Sequence, residues 1–138
     1  MRAVIDTNVL VSGLINPRGA PGRIVDHLLA GAFTALYDDR VLSEYRAVLV
    51  RPVFGFRVAD VDTLIDAIER DGEAVEATGW AGALPDPTDL PFLEVALAGH
   101  ADGLVTGNSR HCRPTRGRHA ITIMTPAAFL ARIAYPPS

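Results

Sequence analysis

Arg2-Ala3-Val4-Ile5-Asp6-Thr7-Asn8 decides the fold. A short apolar run starts almost at the amino terminus and stops at an acid, which predicts a buried strand over 2–5 with Asp6 at its carboxyl end. Gly103-Leu104-Val105-Thr106-Gly107-Asn108 has the same form, a strand closing on small polar residues. Helical spacing fills the interval between the two. Asn16-Pro17-Arg18-Gly19 is a turn, Ile24, Val25, Leu28 and Leu29 then share one helix face, and Gly31 stops that helix. Phe33 to Tyr37 reads as a second strand. Asp38-Asp39 opens a helix with Val41, Leu42, Tyr45, Val48 and Leu49 on one arc, and Pro52 ends it. Asp60 to Arg70 is a further helix, packed through Val61, Leu64, Ile65 and Ile68 and closed by Gly72, with a strand expected over Ala74 to Ala77. A loop rich in Gly and Pro, Gly79 to Pro87, precedes a helix over about 88–99, where Pro91 falls in the first turn. Past Asn108 come a basic loop over 109–119, a strand over Ala120 to Met124, and a last helix over Ala127 to Ile133 capped by Thr125-Pro126. Strands alternating with helices predict an α/β chain whose mainly parallel sheet is covered on both faces.

The 138 residues suit one domain, and a composition 49% hydrophobic and 21% charged is globular and not disordered. The single cysteine, Cys112, excludes an internal disulfide and a multi-cysteine zinc site and fits a reducing compartment. An acid at position 6 interrupts what a secretory signal would keep apolar, and no run approaches the roughly 18 apolar residues of a membrane span. The expectation is a cytoplasmic protein with no membrane contact. A net charge of −3 argues against simple coating of nucleic acid. The charge is unevenly placed: Arg110, Arg113, Arg116 and Arg118 crowd one loop beside His111 and His119, whereas Val58 to Glu94 holds ten acids and one base, Arg70.

In open α/β sheets, ligands bind outside the carboxyl ends of the strands, where Asp6 and Asn108 fall. Two further acids come from helices. At 100° per residue, Glu44 borders the arc of Val41, Tyr45 and Val48, and Asp89 lies inside the arc of Phe92, Leu93 and Ala96. An inward acid needs a partner or a metal to offset its desolvation. Three of them, with few bases on the same elements, suggest a divalent cation, and an oxygen-only donor set selects Mg²⁺ or Mn²⁺ over zinc. Each acid also has a purely structural reading: Asp6 and Asn8 as turn caps, Glu44 as a solvated helix residue, and Asp86, Thr88 or Asp89 as an N-cap. His27, His100, His111 and His119 lack paired ligand spacing with Cys112 and read as surface or capping residues.

Asp6-Thr7-Asn8-Val9-Leu10, Ser43-Glu44-Tyr45-Arg46-Ala47-Val48-Leu49, Asp86-Pro87-Thr88-Asp89-Leu90-Pro91-Phe92-Leu93-Glu94 and Leu104-Val105-Thr106-Gly107-Asn108 together resemble the PIN-domain family. The resemblance is strongest to its VapC-like branch, the toxin components of toxin–antitoxin systems, and covers about residues 2–134. It implies one three-layer α/β/α domain over 1–138, a Mg²⁺- or Mn²⁺-dependent endoribonuclease activity, an RNA substrate and a small antitoxin partner; a homodimer stays open. It assigns the metal to Asp6, Glu44 and Asp89, with Asp86 auxiliary, and gives Thr7, Asn8 and Thr106 supporting roles. The chain departs from the pattern at the fourth acidic place, where it carries Asn108 and His111. An amide oxygen can ligate Mg²⁺ but brings no charge.

Such a site would neutralise charge developing on a phosphodiester and activate a water. Arg110, Arg113, Arg116 and Arg118 follow the Asn108 strand end and are candidates for gripping RNA phosphates. Two other readings remain. A PIN domain without its fourth acid could bind RNA or protein and not cut. A small phosphatase or nucleotide binder is disfavoured, because position 8 is Asn where a phosphoaspartate enzyme would want Asp, and no Gly-rich strand–helix turn follows the first strand.

Overall fold

The computed structural model describes residues 1–76, 90–107 and 121–134. Five parallel strands run β1 (Arg2–Ile5), β2 (Thr34–Tyr37), β3 (Glu73–Ala74), β4 (Gly103–Val105) and β5 (Ile123–Met124), in the spatial order β3-β2-β1-β4-β5. The helices are α1 (Thr7–Ile15), α2 (Ala20–Leu29), α3 (Asp39–Leu49), α4 (Val58–Asp71), α5 (Leu90–Ala98) and α6 (Pro126–Ala134). A 3-10 turn, Pro52–Phe54, follows α3.

The chain steps outward from β1 to β3 and then crosses back to β4. With crossovers of the usual right hand, this strand order calls for the helices joining β1, β2 and β3 on one face and α5 on the other. Accordingly α2 packs on α1, α4 and α6, while α5 packs on β1, β2 and β4. This is the three-layer α/β/α arrangement expected. Ala3, Val4, Ile5, Leu104 and Val105 are buried, as strands covered on both faces must be.

Local chemistry accounts for most boundaries. The Asp38 carboxylate accepts from the Val41 amide at 2.9 Å and starts α3. Gly31 adopts φ +70° behind α2, and the Ala32 amide closes that end on the His27 carbonyl at 2.9 Å. Pro91 sits in the first turn of α5.

Several elements differ from the sequence expectation. α1 was not anticipated: Val9, Leu10, Val11, Leu14 and Ile15 surround much of its circumference, so no single apolar arc marks it. Gly13 also lowers its helix propensity, for a packing reason. A Cβ there would stand 2.7 Å from the Pro21 carbonyl oxygen, and one at Gly22 would stand 2.3 Å from that of Pro17. The two glycines let α1 and α2 close into a tight hairpin. β3 is Glu73–Ala74 and does not run on through Val75 and Glu76, because its partner β2 ends at Tyr37, opposite Ala74; Ala77, the expected end, lies outside the described residues. β5 is confined to Ile123–Met124, the residues opposite Leu104 and Val105. The expected start of α5 at Thr88 and of β5 at Ala120 lies outside the described residues.

Candidate functional site

β1 and β4 are neighbours, and the chain leaves them toward opposite edges of the sheet. The crevice beyond their carboxyl ends is therefore the topological switch point, where α/β sheets place ligands. Asp6 follows β1 and Thr106 follows β4.

Asp6 occupies the N-cap of α1 with extended backbone, φ −65° and ψ 144°, yet its side chain makes no cap bond. The carboxylate instead accepts a hydrogen bond from the Thr106 hydroxyl at 2.7 Å. This argues against a mere capping role. The Asp6 amide donates to the Val105 carbonyl at 2.9 Å and the Thr106 amide to the Met124 carbonyl at 3.0 Å, so both residues rest on the strand ladder. Asn8 reaches the same corner, accepting from the Gly107 amide at 3.3 Å. Thr106 is 2% exposed and Thr7 6%. Groups this deep are held in one orientation.

Glu44, half-buried on α3, accepts from the Thr7 hydroxyl at 3.3 Å. The next residue, Tyr45, is fully buried, donates its phenol to the Ile5 carbonyl and tilts against Phe92 with ring centroids 6.1 Å apart. Burial raises the Tyr45 phenol far above its ordinary value of 10, and the negative charges of Asp6 and Glu44 raise it further. Both carboxylates thus act on one buried hydroxyl. Tyr45 was read from sequence only as a core residue; its hydroxyl has a polar duty at the floor of the site that apolar periodicity does not register.

Sequence reasoning also missed Glu94. It lies on α5, 4% exposed, and takes a 2.8 Å bond from the Arg40 guanidinium of α3. Arg40 also bonds Asp38, at 2.9 Å through Nε. The Glu94 hydrogen bond, first, and then Asp38 raise the Arg40 guanidinium above its ordinary value. A single inward-facing acid in a run such as Phe92-Leu93-Glu94-Val95-Ala96 was the available signal.

The structure thus gathers Asp6, Thr7, Asn8, Glu44 and Thr106 at one end of the sheet. Asp86, Asp89 and Asn108, and Arg110, Arg113, Arg116 and Arg118 of the basic loop, lie outside the described residues. Among the described residues no group of three or more His, Cys, Asp or Glu side chains forms a metal cluster. Asp6 and Glu44 supply two carboxylates, and their all-oxygen chemistry fits a hard divalent cation. A separate cleft of about 430 Å³ opens at the carboxyl ends of β2 and β3, lined by Asp38, Asp39, Arg40 and Glu76. None of the gathered residues lines it.

Comparison with known proteins follows the same lines. A chain in the crystal structure of VapBC2 from Rickettsia felis bound to a DNA fragment from their promoter shares the fold at a TM-score of 0.56. The match covers 91% of this chain and 98% of that one, at 17% identity. An uncharacterized protein from Methanocaldococcus jannaschii is 41% identical over 44 residues, 32% of this chain; the match spans 28% of that relative's length. The family model described as PIN domain matches residues 2–110. Sheet order, switch-point acid and family model agree, and the chain belongs to the PIN domain family.

Proposed function

We propose that the chain is a Mg²⁺- or Mn²⁺-dependent endoribonuclease, the VapC-like toxin of a cytoplasmic toxin–antitoxin pair, with RNA as substrate and a small antitoxin as partner. The observation that carries this reading is the Asp6 carboxylate at the switch point, bonded to Thr106 and not to its own helix. Family membership supports a nuclease, since PIN domains are generally hydrolases of this kind. The fold neighbour's place in a complex on promoter DNA supports a partner protein.

Asp6, on rigid strand-end backbone, is the proposed central ligand, with Glu44 and Asp89 completing the set and Asp86 and the Asn108 amide oxygen auxiliary. The ion, when bound, supplies phosphoryl polarisation and a water of lowered pKa. The chain's own groups orient the ligands. The Thr106 hydroxyl fixes the rotation of the Asp6 carboxylate, the Thr7 hydroxyl holds Glu44, and Asn8 ties the α1 start to the β4 end. Arg110, Arg113, Arg116 and Arg118 are the proposed phosphate grip.

The test is cleavage of labelled RNA by purified, partner-free protein. Cleavage that needs Mn²⁺ or Mg²⁺, stops in excess EDTA and vanishes in Asp6→Asn with its thermal midpoint retained supports the reading. Full activity in EDTA refutes the metal mechanism. Binding of RNA without cutting, indifferent to Mn²⁺, points to the non-cleaving alternative that Asn108 motivates.

A further inference from the structure

We propose that Arg40 and Glu94 form a positioning strut that sets the rotation and slide of α3, and thereby where Glu44 stands relative to Asp6. The inference rests on the metal-centre reading above and adds residues that neither the motifs nor the family match assigns to it.

Arg40 and Glu44 lie one turn apart on α3. Four residues advance a helix by about 6 Å and about 40° beyond a full turn, so the two side chains leave nearly the same face. Arg40 uses that face to reach α5 and Glu44 uses it to reach Thr7, the neighbour of Asp6. The Arg40–Glu94 contact, at 2.8 Å, joins an arginine side chain that is 46% exposed to a carboxylate side chain that is 5% exposed. A short bond from a guanidinium to a carboxylate this buried weakens steeply when either group shifts, so the contact is directional in a way apolar packing is not. Asp38 adds a second restraint. Its Oδ1 caps α3 through the Val41 amide while its Oδ2 takes the Arg40 guanidinium, so one residue fixes both the start of the helix and the direction of the arginine. A further ion pair of α3 differs. Arg46 and Glu69 stand 3.6 Å apart with side chains 54% and 48% exposed, so this pair is solvated and weakly directional.

The predicted consequence concerns metal affinity more than stability. The Glu94 carboxylate is buried and the Arg40 side chain is 46% exposed, so replacing both with apolar residues removes the one buried charge and leaves it no unpaired counterpart, at little cost in stability. The double variant Arg40→Met/Glu94→Leu should therefore keep the thermal midpoint while loosening Glu44. Groups that orient metal ligands typically carry roughly a 10- to 100-fold effect on metal affinity, which is the size of loss expected.

The experiment is calorimetric titration of Mn²⁺ into the intact chain and its variants, with a thermal melt of each. Wild type and Arg46→Met should bind Mn²⁺ alike. Arg40→Met/Glu94→Leu should bind it about 10-fold or more weakly at an undiminished midpoint, and Arg40→Lys, which keeps the charge, should recover part of the affinity. Wild-type affinity in the double variant overturns the strut and leaves the metal centre standing. Loss of affinity only in proportion to loss of stability, or equal weakening in Arg46→Met, shows a general structural effect and overturns it as well. Wild type that fails to bind Mn²⁺ removes the metal-centre reading itself, and the strut with it.

Discussion

Replacing Tyr45 by Phe should cost stability at neutral pH and cost nothing by pH 11. The ring would keep its packing against Phe92, and only the hydroxyl that donates to the Ile5 carbonyl would go. Losing one buried, neutral hydrogen bond costs about 1 kcal/mol, and up to about 2 if the carbonyl finds no other donor. The pH dependence follows from burial. The native phenol is held above its ordinary value of 10, by desolvation first and then by Asp6 and Glu44, whereas the unfolded phenol titrates near 10. Above that pH the unfolded state releases a proton that the native state keeps, so unfolding becomes easier as pH rises. The stabilisation associated with the neutral phenol is complete below the unfolded value and lost above it, at about 1.4 kcal/mol per pH unit. By pH 11 wild type should have lost about 1.4 kcal/mol that the Phe variant does not lose. A gap of about 1 kcal/mol at pH 8 should then close or reverse. Urea unfolding of both proteins at pH 8, 9, 10 and 11 measures the gap directly, and all other titrating groups cancel in the difference. A gap that stays constant to pH 11 would show that the phenol ionises as freely in the folded protein as in the unfolded one. That result would refute the buried clamp between α3 and the end of β1.

Thr106→Val should weaken Mn²⁺ binding by roughly 10- to 100-fold with little change in shape, because it frees the Asp6 carboxylate to rotate; unchanged affinity by titration calorimetry excludes the orienting role. Asn108→Asp should tighten Mn²⁺ binding if the fourth acid acts through charge, with Asp86→Asn near wild type. The reverse pattern would place the auxiliary ligand at Asp86. Changing Arg110, Arg113, Arg116 and Arg118 together to Ala should weaken RNA binding and flatten its salt dependence by up to roughly 0.7 in log–log slope per lost phosphate contact. An unaltered slope would leave that loop without a role in RNA binding.

Local pattern determined much of this protein in advance. Apolar runs and helical arcs located β1, β2, α2, α3 and α4, because the period of burial is written in residues a few positions apart. The same arithmetic put Glu44 at the edge of the α3 arc, where the structure has it half-buried. Asp6 was legible as a strand-end acid for the same reason. Pattern failed where burial has no single face, as in α1, and where a strand's extent depends on its neighbour, as in β3 and β5. Periodicity said nothing of polar partners; the family resemblance alone picked out Thr7, Asn8 and Thr106, and neither picked out the Tyr45 hydroxyl or the Arg40–Glu94 pair. Whether Asp6 caps its own helix or turns to Thr106, one hundred residues away, depends on β4 lying beside β1 in register. That adjacency comes from the crossover that returns the chain past β1. In the same way, an inward Glu94 in a run of apolar residues reads as a misfit until α3 brings Arg40 to it. A buried polar group must find a partner, but only the tertiary fold decides which group arrives within bonding distance.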